Sequence, residues 1–362
     1  MLPIQLAALT AASFASAADV TMDSLLREMT DFSASARWSS PSFTLHQSSS
    51  YDRAKVAPDK PGWFANHDFS EYIRQEHHDG RVEKVMMDAA GPGCIVRFWL
   101  TTVQNKKGTL RIYLDDKAEP VVSFPAYDLL SGDLKVSPPL DQPHPGYSPV
   151  DNGGNTLMLP IPYAKRCIVT WEEAGEGPRY YQINYRTYAP GTVVESFTRE
   201  ALAKARPLIE QTEEKLLSPP DDTHGKTILL EKSIPAGGKE TLDLPKGPQA
   251  LEQLELHVDL KDSTNSEQML RSIILKMDFD GEQTVWCLVS DFFGSGVGIN
   301  ALKSWYRTVT ADGTMTCRWV MPYAKSARTT LINLGDRSVS LSLKASVVHW
   351  KWDHRSMHFH AA

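Results

Sequence analysis

Two stretches near the start of the chain gather side chains able to handle a sugar. "SSSYDR" supplies Tyr51, Asp52 and Arg53, and "GWFANHDFSEYIRQE" supplies Trp63, Asn66, Asp68, Arg74 and Glu76. Tyr and Trp offer flat faces for sugar C–H groups, while carboxylates and arginines bind hydroxyls in pairs. That mixture suits a carbohydrate site on loops at the end of a β sandwich. The same residues also describe a surface loop pinned by an Arg–carboxylate pair, and composition alone favours that plainer reading. Glu76 and Asp88 flank a hairpin. Carboxyl groups about 5–5.5 Å apart suit retaining glycoside chemistry and wider pairs suit inverting chemistry, but the sequence gives no distance.

Other reactive residues carry less. Asp128 in "DLLSGD" and Asp291 in "DFFGSG" precede turns and read as turn caps. His358 and His360 share one face of a strand, a spacing that can bind metal, but spacing fixes no second pair beside them. Neither metal nor cofactor is expected. Cys94, Cys167, Cys287 and Cys317 form no Cys-x-x-Cys pair and sit in apolar runs, as buried free thiols do. In an exported protein Cys287 and Cys317 could join as a disulfide. No nucleophile elbow, P-loop or dinucleotide fingerprint is present. A formal net charge of -6 without a long basic run argues against a nucleic-acid partner. No run approaches the roughly 18 apolar residues of a membrane span. At the start, an apolar core from Ile4 to Phe14 precedes Ala15-Ser16-Ala17, a small-x-small cleavage site, although the n-region lacks Lys and Arg. An export signal over 1–17 and a secreted or periplasmic protein are expected.

The elements that must position these residues read mainly as β. "TMDSLLREMTDF" is a short helix capped by Thr21, with Leu25, Leu26 and Met29 on one face. From Glu71 onward come alternating runs, with Asp79-Gly80 as a type I′ hairpin turn. "NKKG" reads as a hairpin loop between "CIVRFWLTT" and "TLRIYLDD", and Pro138 to Asn155 as a long loop. "SFTREALAKARPLIEQTEEKLL" is a helix capped by Thr198, which Pro207 should kink or divide. The second β region then repeats the first in order. "RIYLDD" matches "KMDFDG", "DLLSGD" matches "DFFGSG", and "PYAK" at Pro162 matches "PYAK" at Pro322, each offset by about 160 residues. That period is the size of a domain, not of a solenoid repeat. Many short strands without βαβ alternation indicate a sandwich, and a jelly roll accommodates about eight strands in such a length. The expected order is an export signal (1–17), a first jelly-roll domain with N-terminal helix and loop (18–195), a helical connector (196–226) and a second jelly-roll domain (227–362).

Taken in order, "SSSYDR", "WFANHDFSEYIRQE", "MDAAGPGCIVRFW", "LRIYLDD", "DFFGSG", "MPYAKSARTTLIN" and "RSMHFHA" resemble the proteins grouped as domain-of-unknown-function family 2961, associated with glycoside hydrolase family 172. The resemblance covers nearly the whole chain after the export signal. It implies a tandem jelly-roll fold, assembly into homotrimers or multiples of trimers, and an oligo- or polysaccharide substrate. The implied activity is on fructofuranosyl or arabinofuranosyl linkages, of the difructose-anhydride and arabinofuranosidase type. It proceeds with retention, through a pair of glutamates and without a metal. Tyr51, Asp52, Arg53, Trp63, Asn66, Asp68, Arg74 and Glu76 match the family and are expected to face substrate or a trimer neighbour. Family members usually continue past the "HFHA" strand to a Gly-Thr-Glu-Asp-Tyr-Phe/Tyr stretch holding one catalytic glutamate. No such stretch occurs in this sequence, so no catalytic glutamate is carried over: the expectation is either a truncated member or catalysis that uses other carboxylates. Three readings follow: an exported furanosidase using double displacement, a binding module holding glycan with Trp63, Tyr51 and Arg53, or an assembly fragment with open β edges.

Overall fold

The computed structural model describes residues 19–362 except 79, 150, 222 and 260–265, so the expected export signal lies outside the described residues. The chain enters through α1 (Met22–Met29). Thr21 accepts from the Ser24 N–H, Ser24 reciprocates to complete a capping box, and Met22, Leu25 and Leu26 are buried. A 3-10 turn over Phe32–Ala36 follows.

The first half then runs β1 (Phe43–Ser49), β2 (Arg74–His78), β3 (Arg81–Ala90), β4 (Gly93–Thr102), β5 (Gly108–Leu114), β6 (Val122–Phe124), β7 (Asp141–Pro143), β8 (Gly153–Leu157), β9 (Ile161–Tyr163), β10 (Arg166–Glu173) and β11 (Tyr180–Tyr188). One sheet has the order β1-β11-β4-β8-β7, with β9 also on β4; the other has the order β2-β3-β10-β5-β6. Period-two alternation sends Leu110, Ile112 and Leu114 of β5 and Cys167, Val169 and Trp171 of β10 into one core with Phe98, Leu100 and Ile183 of the opposite sheet.

Next comes α2 (Arg199–Leu217), capped by Thr198. Of the expected kink or division at Pro207, the division does not occur: the helix continues unbroken through it. Packing on both sides of the proline outweighs the lost hydrogen bond. Leu202, Ala205 and Ile209 enter the first core, and the Arg206 guanidinium donates to the Leu134 and Lys135 carbonyls.

The second half runs β12 (Lys226–Ile234), β13 (Lys239–Asp243), β14 (Gln249–Val258), α3 (Ser266–Leu270), β15 (Ile273–Phe279), β16 (Glu282–Leu288), α4 (Val289–Phe293), β17 (Leu302–Lys303), β18 (Arg307–Val309), β19 (Thr314–Cys317), β20 (Met321–Tyr323), β21 (Ala327–Asn333) and β22 (Val339–His349). Its sheets are β12-β22-β14-β19-β18-β17, with β20 on β14, and β13-β21-β15-β16. Strand for strand this repeats the first half, apart from an extra edge strand in each: β2 in the first and β17 in the second. The protein is therefore two antiparallel β sandwiches of one jelly-roll plan, each with its own core. Among the described residues no helix is long and apolar enough to cross a membrane.

Two local expectations are revised, and the cysteines are free thiols as expected. "NKKG" is not a hairpin loop, because β4 and β5 lie in opposite sheets. The connection crosses the sandwich, and Lys106 turns inward to meet Asp128 at 3.1 Å. The long loop from Pro138 contains β7, which pairs with β8 from Asp141↔Leu157 to Pro143↔Asn155. All four cysteines are free, and Cys287 on β16 and Cys317 on β19 sit in opposite sheets.

The repeated Pro-Tyr-Ala-Lys marks the place where the chain leaves one sheet for the other. β9 pairs with β4 and β10 with β5; β20 pairs with β14 and β21 with β15. Backbone N–H groups at such a crossing have no ladder partner and must be satisfied otherwise. Aspartate does this in both halves, from left-handed backbone (φ 58 at Asp115, 53 at Asp280) that Asp tolerates better than most residues. The Lys165 N–H donates to Asp115 Oδ1 at 2.7 Å and the Lys325 N–H to Asp280 Oδ1 at 2.6 Å. The Ala324 N–H reaches Asp280 Oδ2 at 2.8 Å, whereas the Ala164 N–H reaches the Ser196 hydroxyl, itself bonded to Asp115. In return the Asp115 N–H donates to the Arg166 carbonyl and the Asp280 N–H to that of Ser326, both at 2.8 Å. The carbonyls of Lys165 and Lys325 accept from Gly91 and Gly247, each preceding a cis proline. Tyr163 and Tyr323 are fully buried beneath the crossings, and Lys165 and Lys325 are exposed.

Burial opposes ionisation of Asp280, but the N–H groups of Ser326, Ala324 and Lys325 outweigh it and hold its pKa below the ordinary value. Its contribution to stability is therefore complete above about pH 4 and is lost as pH falls through the lower folded value. Asp280→Ala should cost about 1–3 kcal/mol in urea denaturation at neutral pH, with Asp280→Asn recovering part. An unchanged midpoint would contradict this role.

Candidate functional site

All eight residues singled out from the sequence fall in one insertion. β1 and β3 are joined through residues 50–80, whereas the equivalent β12 and β13 are joined by 235–238. The insertion comprises a loop and the edge strand β2. Six of the residues lie on the loop; Arg74 and Glu76 lie on β2. The β2–β3 hairpin closes at His78↔Arg81 with Gly80 at φ 82, as a type I′ turn requires; its partner Asp79 lies outside the described residues.

Within the loop, Asp52 and Asp68 form a clasp. Asp52 is buried; Oδ1 accepts from the Ala54 N–H and Oδ2 from the His67 N–H, both at 2.9 Å. Those two donors hold the Asp52 carboxyl below the usual aspartate range. The Asp52 N–H donates to Asp68 Oδ1 at 2.8 Å, and the Ser50 hydroxyl donates to the Asp68 carbonyl. Tyr51 and Arg53 point outward, the guanidinium 3.8 Å from the ring centroid. Trp63 lies edge-on to Phe64, both about half exposed, and Asn66 is exposed. The loop is thus pinned by carboxylates on backbone N–H groups, and its outer surface offers two aromatic faces, a guanidinium and an amide.

Arg74 and Glu76 open a charged network across the outer face of the β2-β3-β10-β5 sheet. Arg74 Nη2 contacts Glu76 Oε1 at 2.5 Å and Asp88 Oδ2 at 2.7 Å. Two oxygens on one nitrogen lie no more than about 5 Å apart, a spacing compatible with a retaining pair. Arg166 grips both oxygens of Asp88 at 2.8 Å, and His78 Nε2 lies 3.2 Å from Glu76 Oε2. Asp88 is held below its ordinary pKa first by the Arg166 hydrogen bond, against burial, and further by Arg74. For Glu76, burial raises the pKa but the bonds from Arg74 and His78 prevail and lower it. Both are therefore set as anions at neutral pH, suited to accepting hydrogen bonds or attacking an electrophile and unsuited to delivering a proton.

Further along the same face the sequence reading missed a second knot. Glu83 is fully buried, with both oxygens 3.0 Å from the Tyr113 hydroxyl and Oε2 accepting from Thr170 Oγ1 at 2.6 Å. Arg111 Nη1 lies 3.4 Å from Glu83, while its Nη2 binds Glu172 at 2.7 Å. Burial and the Glu83 charge push the Tyr113 phenol up to about 12, keeping it a hydrogen donor. The signal was available: Arg111 and Tyr113, like Thr170 and Glu172, are polar residues two apart in otherwise apolar strands, hence on one outward face.

The remaining candidates serve elsewhere. Asp128 caps its turn through the Ser131 N–H at 2.6 Å, whereas Asp291 is exposed and meets Arg271 at 3.1 Å. His358 Nε2 lies 3.0 Å from Asp280 Oδ2, joining the second sheet crossing.

The fold and its arginine-clamped carboxylate face define a tandem jelly-roll protein, a plan that many functions share, and comparison gives its family. A model described as the GH172 first beta-sandwich domain matches residues 41–205, and one described as GH172 domain-like matches residues 225–345. Together they span most of the chain, which belongs to the GH172 family. No curated protein matches. Among solved structures the chain is similar to the STIV MCP (10% identity, 72% of this chain and 91% of that one, TM-score 0.22). It is also similar to the major capsid protein P2 of bacteriophage PM2 (9%, 87% and 100%, TM-score 0.22) and to procruciferin of Brassica napus (11%, 74% and 77%, TM-score 0.15). At those scores the likenesses carry no argument.

Removing the strongest clamp should be visible by titration. In Arg166→Gln the Asp88 carboxyl should titrate higher than in the parent, as read by carboxyl-selective NMR. An unmoved titration would show that Arg166 does not control this carboxylate.

Proposed function

We propose that this protein is a glycoside hydrolase acting on furanosides, at fructofuranosyl or arabinofuranosyl linkages, with retention of configuration. The reading rests on a chain of the GH172 family that carries, on one sheet face, the arginine-bridged anions Glu76 and Asp88, either of which could serve as the nucleophile of a double displacement. One of these anions would attack the anomeric carbon. Since Arg74 and Arg166 hold both deprotonated, the proton for the leaving oxygen comes from a group outside the pair. Tyr51, Arg53, Trp63 and Asn66 supply the outer contacts to an oligo- or polysaccharide, while Asp52 and Asp68 keep that loop in shape. Double displacement by carboxylates needs no cofactor. The same reading carries export to a secreted or periplasmic location, and assembly as a homotrimer or a multiple of it.

A second reading, a glycan-binding protein without turnover, is favoured by one observation. The carboxylates of the pair are all charge-paired and none is set as an acid.

Aglycone release from aryl arabinofuranosides and aryl fructofuranosides by the purified chain decides between them. The furanosidase reading expects turnover whose first product keeps the substrate's anomeric configuration by NMR. It also expects a loss of at least about 100-fold in kcat/KM for Glu76→Gln and for Asp88→Asn. Turnover that survives both substitutions would remove the pair from the chemistry. Sugar binding with no turnover would establish the second reading.

A further inference from the structure

The duplication places a second sheet face where the first carries its clamped carboxylates, and that face is furnished differently. In the first sandwich the insertion 50–80 adds β2 beyond β3. In the second, β13 is the edge and nothing is inserted before it. The outer face of β13-β21-β15-β16 lines a concave space of about 650 Å³.

Strand register fixes what lines it. Thr241 pairs with Thr330, Thr330 with Lys276 and Lys276 with Trp286, forming one row across four strands. Two residues along, and so on the same face, Asp243 pairs with Arg328, Arg328 with Asp278 and Asp278 with Gln283. Neighbouring strands lie about 4.8 Å apart, so each row spans roughly 14 Å. Four of the five charges in the lining pair locally, Lys276 with Asp278 at 3.1 Å and Arg328 with Asp243 at 2.6 Å, and Lys239 adds one further cation. The two threonine hydroxyls lie 3.2 Å apart, and Trp286 is 44% exposed at the end of its row.

We propose that this groove is a second, non-catalytic binding surface for a neutral oligosaccharide. Two charge pairs and the single extra cation of Lys239 leave a small net field, and the pairs present fixed N–H donors and carboxylate acceptors. The exposed Thr241 hydroxyl, backed by buried Thr330, and the exposed Gln283 amide add groups that both donate and accept, the alternation a polyol needs. A half-exposed indole at one end gives the flat apolar face that sugar C–H groups cover. The first sandwich shows the contrast. There the equivalent sheet face is closed by the buried Glu83 knot and flanked by β2, and among the described residues it sets no exposed threonine and glutamine beside a half-exposed tryptophan. The groove holds sugar without bond cleavage, so it does not depend on the activity proposed above.

Isothermal titration of the full chain with linear arabino-oligosaccharides and with inulin-type fructo-oligosaccharides tests this, alongside aryl-furanoside turnover and light scattering. Trp286→Ala should weaken oligosaccharide binding at least tenfold, and Gln283→Ala severalfold, with aryl-furanoside turnover and assembly mass unchanged. Undiminished oligosaccharide binding by both variants would overturn the proposal. So would a fall in assembly mass in Trp286→Ala with sugar affinity retained, which would make the face a contact between copies of this chain. Binding that depends on Trp286 in a chain without any turnover would support the groove while ending the furanosidase reading.

Discussion

An aspartate in left-handed backbone, holding the N–H groups of a sheet crossing, is the constraint on which both halves of this molecule depend. A sandwich requires its chain to pass from one sheet to the other, and every passage leaves peptide groups outside a ladder. Asp115 and Asp280 meet that need identically at Lys165 and Lys325, and their own N–H groups close the same ring through Arg166 and Ser326. Short polar sequences survive in both copies because the bonds need particular residues there, not because a ligand does. Pro-Tyr-Ala-Lys therefore belongs to the scaffold: the tyrosines fill the cores and the lysines meet solvent.

Once the crossings are fixed, the outer faces are free to diverge. The first copy has residues 50–80 between two strands whose counterparts in the second are joined by a tight turn. That addition brings the exposed aromatic loop and the strand carrying Arg74 and Glu76. The face beside it is dense with arginine and carboxylate, and buried Glu83 is satisfied because Tyr113, Thr170, Arg81 and Arg111 converge on it. Removing one partner from such a knot leaves a charge uncompensated, so it is rigid by necessity. The second copy kept a simple edge, and its face remains an open groove between paired charges. One architecture thus presents an arginine-clamped carboxylate pair in one half and an open surface of mostly paired charges beside a tryptophan in the other.

Much of the fold was legible because its signals are local. Thr21 and Thr198 announce their helices by capping, alternation marks the strands, and the Asp and Pro-Tyr-Ala-Lys matches reveal the duplication. What escaped was long-range. A four-residue polar segment reads alike whether it turns a hairpin or crosses a sandwich, and only the pairing of β4 and β5 with different strands separates the two. Pro207 should have broken its helix on propensity alone, but Arg206 and the apolar residues around it tie both sides to the first core. The candidate residues were legible as a group, not by role. That Asp52 closes on the His67 N–H, or that Arg74 bridges Glu76 to Asp88, depends on contacts no spacing rule encodes. Glu83 was hidden for the opposite reason: a charged residue in a strand reads as solvent-facing until its partners are known.

The duplicated crossing is also the claim most open to direct measurement. Native-state hydrogen exchange at the Lys165 and Lys325 amides separates a true lock from an ordinary surface turn, since locked groups open only with the core. Both amides should exchange as slowly as the central strands of their sandwiches, despite exposed side chains. Rapid exchange at either one, at the rate of neighbouring loops, would show that the aspartates do not hold the crossings and that the shared plan rests on something else.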